Sequence, residues 1–285
     1  MSTQVSTAFV NQFSSNVMLL SQQIGSKLRG SVSEESVTGE KAYFDQIGSG
    51  VAQLRTSRHA DTPLMETPHS RRQVSIDTYE YADLVDDADK VRMLIDPTST
   101  YARAAANAIG RAMDDAIITA ATGTAKTGVS GGTSTTMLAA NQIAHGSAGL
   151  TVAKLVSAAK ILDNADVDSS IPRYIVVGPE QVEDLLNNST VTSSDYNSIK
   201  ALVQGEIDTF LGFKFIKSTR LAVASSVRTA FAWAEDGIKL AVGKDVMAKI
   251  EDRADKSYST QVFYCASFGA TRMEEEKVVE IACSE

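Results

Sequence analysis

A long charged segment from Gly39 to Arg92 constrains this chain more than any other, because it has nowhere to put a hydrophobic face. Ala42-Tyr43-Phe44-Asp45-Gln46-Ile47 leads into Gly48-Ser49-Gly50, and Val51-Ala52-Gln53-Leu54-Arg55 continues outward. Arg72-Gln73-Val74-Ser75-Ile76-Asp77 returns with strict alternation. Period two is the mark of a strand, so the segment predicts an extended two-stranded ribbon. A lone hairpin is marginal in water. A ribbon polar on both faces, with no core of its own, is normally stabilised by another chain. Assembly is therefore the expectation before any chemistry is considered.

The next segment points the same way. Asp96-Pro97-Thr98-Ser99 is a helix start, with proline beside a hydroxyl cap. Tyr101, Ala105, Ala108, Ile109, Ala112, Met113, Ala116, Ile117 and Ala120 recur at three- and four-residue spacing up to Gly123, forming one apolar stripe. Such a helix would be roughly 35–40 Å long. A stripe made mostly of alanine implies that something packs very close against it.

With 285 residues, 43% of them hydrophobic, the chain can bury a core split over two unequal lobes. The net charge of −8 argues against a general nucleic-acid-binding surface, which needs a basic excess. Cys265 and Cys283 stand apart, as small apolar residues of a reducing compartment do, and indicate neither a disulfide framework nor a zinc site. No apolar run reaches the length of a membrane span. The first residues lack the basic start and apolar stretch of a secretory signal, so a cytosolic product is expected.

Along the chain, Phe9, Phe13, Val17, Leu20 and Ile24 have helical spacing. A membrane-surface helix would want Lys and Arg on its polar face. Only Lys27 and Arg29 lie nearby, after the helix, so docking on protein is expected. Gly25 to Gly39 reads as a flexible arm. Thr122 to Ser147, rich in Gly, Ser, Thr and Ala, reads as a loop separating two regions. Beyond it, helix and strand alternate. Val152 to Leu162 predicts a helix with Val152, Leu155, Val156, Ala159 and Leu162 on one face. Arg173 to Gly178 predicts a buried strand, and Pro179 opens a short helix to Asn187. Tyr196 to Gly205 predicts a helix, and Phe213–Lys217 and Thr229–Trp233 predict strands. Val246–Glu251 with Ser257–Phe268 predicts a long β pair, and Val278–Ile281 a final strand.

Candidate chemistry is sparse. Gly128-Val129-Ser130-Gly131-Gly132 matches the nucleophile elbow of hydrolases, which needs a strand before the serine and a helix after it. Here a helix and loop precede it, more loop follows, and His145 is the only downstream histidine. Ser157 and Lys160 form a Ser-x-x-Lys pair on a helix without partner motifs. Asp77, Asp83, Asp86, Asp87 and Asp89 are dense enough to hold a hard cation. They lack the glycine and closing glutamate of a calcium loop and read better as an acidic face. Asp114 and Asp115 are adjacent on a helix and point about 100° apart, so they cannot act as one acid/base pair. His59, His69 and His145 have no metal-ligand spacing. No phosphate loop or dinucleotide fingerprint occurs.

The ordered set is an amphipathic N-terminal helix, polar arm, charged ribbon, long Ala-rich helix, α/β lobe and closing β tail. It resembles the major capsid proteins of tailed double-stranded DNA bacteriophages, of the Hong Kong 97-type or Johnson fold. Podovirus-like members open the ribbon on an aromatic-x-x-Ile-Gly turn, here Phe44-Asp45-Gln46-Ile47-Gly48. The return Arg72-Gln73-Val74-Ser75-Ile76-Asp77, the acidic run Ala82-Asp83-Leu84-Val85-Asp86-Asp87, and the helix Tyr101-Ala102 … Gly110 … Asp114-Asp115 also fit. So does Phe268-Gly269-Ala270 followed by acidic residues. The resemblance implies an α+β capsid fold. Its parts would be an N-terminal helix and arm over 1–38, an extended β-hairpin E-loop and its return over 39–92, and a peripheral domain with a long spine helix over 93–150. An axial domain over 151–243 and a β tail over 244–285 would complete it. It implies no catalysis and no cofactor or metal. The implied partners are hexamers and pentamers of the same chain closing a virion shell in the host bacterial cytoplasm, a scaffolding protein, supplied separately because the chain begins at the arm, and a portal protein at one vertex. A decoration protein is a further candidate, double-stranded DNA would be packaged without sequence-specific binding, and no membrane is involved. An encapsulin-like cellular compartment and, in another class, a serine hydrolase using Ser130 stay open at this point.

Charge splits along the ribbon. Arg55, Arg58, Arg71 and Arg72 outweigh Asp61 and Glu66 at its tip, while Asp77 to Asp89 holds six acids and no basic residue. Head-to-tail subunit contacts are the expectation, with the arginines of one copy on the acids of the next. The candidate interface residues are Arg55, Arg58, Arg71, Arg72, Asp83, Asp86 and Asp87, with Glu274, Glu275 and Glu276 as a second acidic target. Relatives that crosslink covalently use a lysine on this loop; here none occurs between Lys41 and Lys90.

Overall fold

The computed structural model describes residues 21–59, 61–62, 64–85, 98–187 and 209–285. The expected helix start at Asp96-Pro97, the helix over 196–205 and most of the N-terminal amphipathic segment lie outside the described residues. The chain forms two compact units, each drawn from three separated stretches: 1–26, 78–113 and 244–268 in the smaller, 27–77, 114–243 and 269–285 in the larger.

In the larger unit, β-branched and aromatic runs build a seven-stranded sheet. Its strands are β7 (Gln142–Ile143), β8 (Arg173–Val177), β9 (Thr209–Phe210), β10 (Phe213–Lys217), β11 (Val223–Ala224), β12 (Val227–Ala234) and β15 (Val278–Ser284). The spatial order is β7-β15-β12-β8-β10-β9, with β11 also on β12. β8 and β10 run parallel, while β12 is antiparallel to both of its long neighbours, β8 and β15. Ile175, Phe213, Phe231 and Trp233 are fully buried here. The Trp233 indole Nε1 donates to the Ser31 carbonyl at 2.9 Å, giving the ring's one polar atom a partner.

Helix α2 (Val152–Asn164) lies against β15. Thr151 caps it by accepting from the Lys154 N–H. Its inward face is Leu155, Ala158 and Leu162, whereas Val156, expected on that face, is half exposed. The real stripe follows the i, i+3, i+7 row, and Val156 falls one position off it. Helix α3 (Pro179–Asn187) starts on its proline, as expected.

The long helix α1 (Thr98–Thr122) has 25 residues, about 38 Å at 1.5 Å each. Its inward positions include Ala105, Ile109, Met113, Ile117 and Ala121. The close approach implied by the small residues is found in the smaller unit. A Cβ at Gly110 would lie 2.4 Å from the Gly25 carbonyl carbon. The Gly25 N–H there donates to Asn107 Oδ1, and Arg111 donates to Gln22. One turn on, in the larger unit, fully buried Asp114 accepts the backbone N–H groups of Lys27 and Leu28 at 3.1 Å. The arm over 25–28 is thus tied to the helix, where a flexible segment was expected. A glycine arm looks mobile in sequence, but here its free N–H groups are matched by helix side chains.

Two further sheets complete the chain. One orders β1 (Ser33–Ser36), β13 (Ile238–Arg253), β14 (Ser259–Arg272) and β4 (Asp77–Val85) as β1-β13-β14-β4. The long tail pair is therefore present and longer than the alternation predicted. Tyr79 of β4 stacks on Phe268 of β14 at 4.5 Å. The other sheet orders β2 (Lys41–Ile47), β3 (His69–Ser75), β5 (Ala125–Thr127) and β6 (Thr133–Thr135) in sequence. The stretch 122–147 is thus not simply a loop. β5 and β6 are too short and too rich in threonine to show a period, yet they extend the ribbon's sheet through Arg72↔Thr127.

Candidate assembly surface

The ribbon pairs β2 with β3 from Lys41↔Ser75 to Ile47↔His69. Its base is not polar on both faces. Ala42, Phe44 and Val74 are buried and cluster with Ala241 and Met273 of the same chain. The Lys239 ammonium sits 4.7 Å from the Phe44 ring centroid. Alternation therefore had a buried side, and the expectation of a ribbon without a core is corrected. Three apolar residues divided between two strands are too few to mark a core face in sequence.

The ribbon's outer part, 48–68, carries no strand among the described residues, so the predicted continuation at Val51 to Arg55 is replaced by an extended loop. Val51, Leu54 and Leu64 are 74%, 87% and 93% exposed, so nothing in their own subunit covers them. Arg58 is exposed beside them, and Arg55 donates through Nε only to the Ser57 carbonyl.

The structure divides the candidate interface residues. Arg71 pairs with Asp45 across the ribbon and lies 5.7 Å from the Tyr43 ring centroid, and the guanidinium holds the Asp45 carboxyl below the usual carboxylate range. Arg72 is not at a free tip. It is buried, donates to the Met273 carbonyl at 2.7 Å and pairs with Glu275 at 2.6 Å. Glu275 also faces Arg272, whose Nε is 3.7 Å away. The fully buried Arg272 donates to the carbonyls of Ala121, Gly123 and Thr135. It thus satisfies carbonyls left open where α1 ends, and its charge suits the negative end of the helix dipole. Two arginines and one carboxylate so tie the ribbon base, the end of the long helix and the tail into one block. Head-to-tail contact was expected for Arg72 and Glu275; they meet instead within one chain. Charge counts cannot separate the two cases, because both put opposite charges in contact.

Of the remaining residues, Glu274 pairs with Lys277, which also holds Asp236 at 2.6 Å. Glu276 is exposed and without an ion pair among the described residues. Asp83 lies on β4, half exposed, and accepts from the Leu84 N–H. Asp86 and Asp87 lie outside the described residues. Sequence reasoning missed Asp114 and Arg272; the available signal for the first was Gly110, a glycine in mid-helix one turn away.

The serine motif takes another form. Gly128 to Gly132 is the turn between β5 and β6, with positive φ at Gly128 (+91°) and Gly131 (+72°) and a hydrogen bond from the Gly131 N–H to the Gly128 carbonyl. A hairpin turn supplies neither the preceding core strand nor the following helix that an elbow needs. His145 Nδ1 accepts from the Ser147 N–H. Both cysteines are buried and free, and burial pushes the Cys283 thiol up to about 11, which leaves it unreactive. Among the described residues no group of three His, Cys, Asp or Glu side chains could hold a metal ion, and no helix is long and apolar enough to cross a membrane.

An internally braced ribbon ending in an uncovered apolar and basic loop defines a subunit of an assembly. Its fold is that of phage shells. Residues 5–285 match the phage capsid protein family, and the chain belongs to it. The capsid structure of cyanophage P-SCSP1u is similar over 100% of this chain and 96% of that one, at 17% identity and a TM-score of 0.76. The capsid of Ralstonia phage GP4 covers 97% of this chain and 95% of its own, at 12% identity and a TM-score of 0.73. Mycobacterium phage Che8 gives 18% identity, 96% and 97% coverage and a TM-score of 0.69. No curated protein sequence matches the chain. The fold is consistent with the Hong Kong 97-type capsid fold, and the protein is a structural major capsid protein of phage virions, built into a shell from many copies.

Proposed function

We propose that this chain closes, as hexamers and pentamers, into an icosahedral shell around double-stranded DNA, without catalysis and without sequence-specific contact to the genome. The observation that carries this reading is the ribbon tip, where three apolar side chains stand uncovered on a loop whose base is braced by buried charges. Exposed apolar surface of that kind marks a protein interface. The family reading supplies the rest of the proposal: 39–92 acts as the E-loop, 93–150 as peripheral domain, 151–243 as axial domain and 244–285 as the returning tail. Assembly takes place in the host cytoplasm with a scaffolding protein, a portal at one vertex and, as a further candidate, a decoration protein. The acidic balance of the chain, −8, suits a wall that does not hold DNA tightly.

Expression with the neighbouring gene products, followed by negative-stain imaging and nucleic-acid analysis, tests this. Closed shells that fill with DNA are expected. Shells that instead enclose one packaged enzyme would identify a cellular compartment. A fluorophosphonate probe should leave Ser130 unlabelled; stoichiometric labelling there would overturn the non-catalytic reading.

A further inference from the structure

Four of the charges that sequence assigns to subunit contacts, Arg71, Arg72, Glu274 and Glu275, are already paired inside the chain. Arg71 is held by Asp45, Arg72 and Arg272 by Glu275, Glu274 by Lys277, and Asp163 by Arg173. On the outgoing limb of the tip, Arg55 and Arg58 have no carboxylate partner among the described residues. Among the acids on the opposite account, Glu276 and Asp166 are exposed and have no cationic partner there.

Those two acids line one groove. It has a volume of about 460 Å³, and its lining includes Leu138, Ile161, Asn164, Asp166 and Glu276. It opens at the C-terminus of α2, where helix carbonyls add a negative potential to the two carboxylates. Leu138 is 42% exposed within it. The lining thus combines two apolar side chains with two carboxylates. The limb Leu54 to Arg58 is the reverse, with one bare leucine beside two guanidinium groups that have no carboxylate partner among the described residues. Arginine with an apolar neighbour is the residue type that anchors interfaces.

We propose that the groove of one copy takes the limb Leu54–Arg58 of a second copy, with Leu54 on Leu138 and Ile161, and Arg55 and Arg58 against Asp166 and Glu276. The proposal rests on the shell reading above. The contact joins unlike patches and is therefore head-to-tail, the kind that closes into rings when the rotation permits. Each ion pair is weak alone, and a ring makes several at once.

Charge exchange tests it. Arg55→Glu/Arg58→Glu and Asp166→Lys/Glu276→Lys should each leave the melting temperature unchanged and abolish shells under conditions where the unaltered protein forms them. All four changes in one chain should restore shells. In addition, co-expressed Arg55→Cys and Glu276→Cys chains should give a disulfide-linked heterodimer on a non-reducing gel, the native cysteines being buried. Normal assembly by either double variant, or a four-fold variant that folds but does not recover, overturns the pairing. Failure of the unaltered protein to form shells with its scaffold would instead overturn the shell reading itself.

Discussion

Replacing Glu275 by glutamine removes the negative charge that pairs with both buried arginines of this block. The side chains of Arg272, Arg72 and Glu275 are 0%, 8% and 13% exposed, so water does little to screen what remains. Breaking a buried pair from one side costs about 3–5 kcal/mol, chiefly because the other charge stays buried and unmatched. The amide oxygen can still accept from Arg72, which places Glu275→Gln near the lower end, about 3 kcal/mol. For a domain of this size that corresponds to a melting shift of about 6–12 °C. Arg72→Met should cost less, because Glu275 keeps Arg272. The double variant should then cost less than the sum of the two by at least about 1 kcal/mol, as residues in one network do. Urea unfolding followed by fluorescence reports it cleanly, since Trp233 is the only tryptophan, is fully buried and lies in the same unit. High salt should change the loss little, because buried pairs escape screening. A loss below about 1 kcal/mol, or strict additivity with Arg72→Met, would refute the claim that this carboxylate holds the block together.

Three other outcomes follow from the same structure. Gly110→Ala should lower the melting temperature despite the better helix propensity of alanine, which is worth about 1 kcal/mol. The added Cβ meets backbone at 2.4 Å, and overpacking costs about 1–3 kcal/mol; a higher melting temperature would show that the arm yields freely. Burial raises the Glu280 carboxyl above its ordinary value, opposed by Arg272, so the folded chain binds this proton more readily than the unfolded one. Stability from this group therefore falls as pH rises from about 4.3 through the raised value, and Glu280→Gln should remove that dependence and gain stability at neutral pH; an unchanged pH profile of the melting temperature would contradict it. Mature particles boiled in detergent should run as monomer, because no lysine lies between Lys41 and Lys90 to form a covalent link from the ribbon; a ladder of dimers to hexamers would sink this expectation.

The sequence alone determined whatever rests on local period and punctuation. The ribbon strands at 41–47 and 69–75, the helix from Thr98 to Thr122, the Pro179 start and the long β tail were all legible, because strand and helix periods are properties of neighbouring residues. The order of those elements was enough to point to the capsid family. Tertiary structure decided which charges meet. Arg72 and Glu275 are 203 residues apart, and Asp114 reaches the arm 87 residues away. A composition that shows an excess of arginine on one segment and of glutamate on another does not say whether the two meet in one chain or across two. It was also tertiary structure that turned 122–147 into a hairpin beside the ribbon, since three-residue strands have no period to read. Which charges stay unmatched, Arg55 and Arg58 on the tip and Asp166 and Glu276 at the groove among them, becomes visible only once the internal pairs are known.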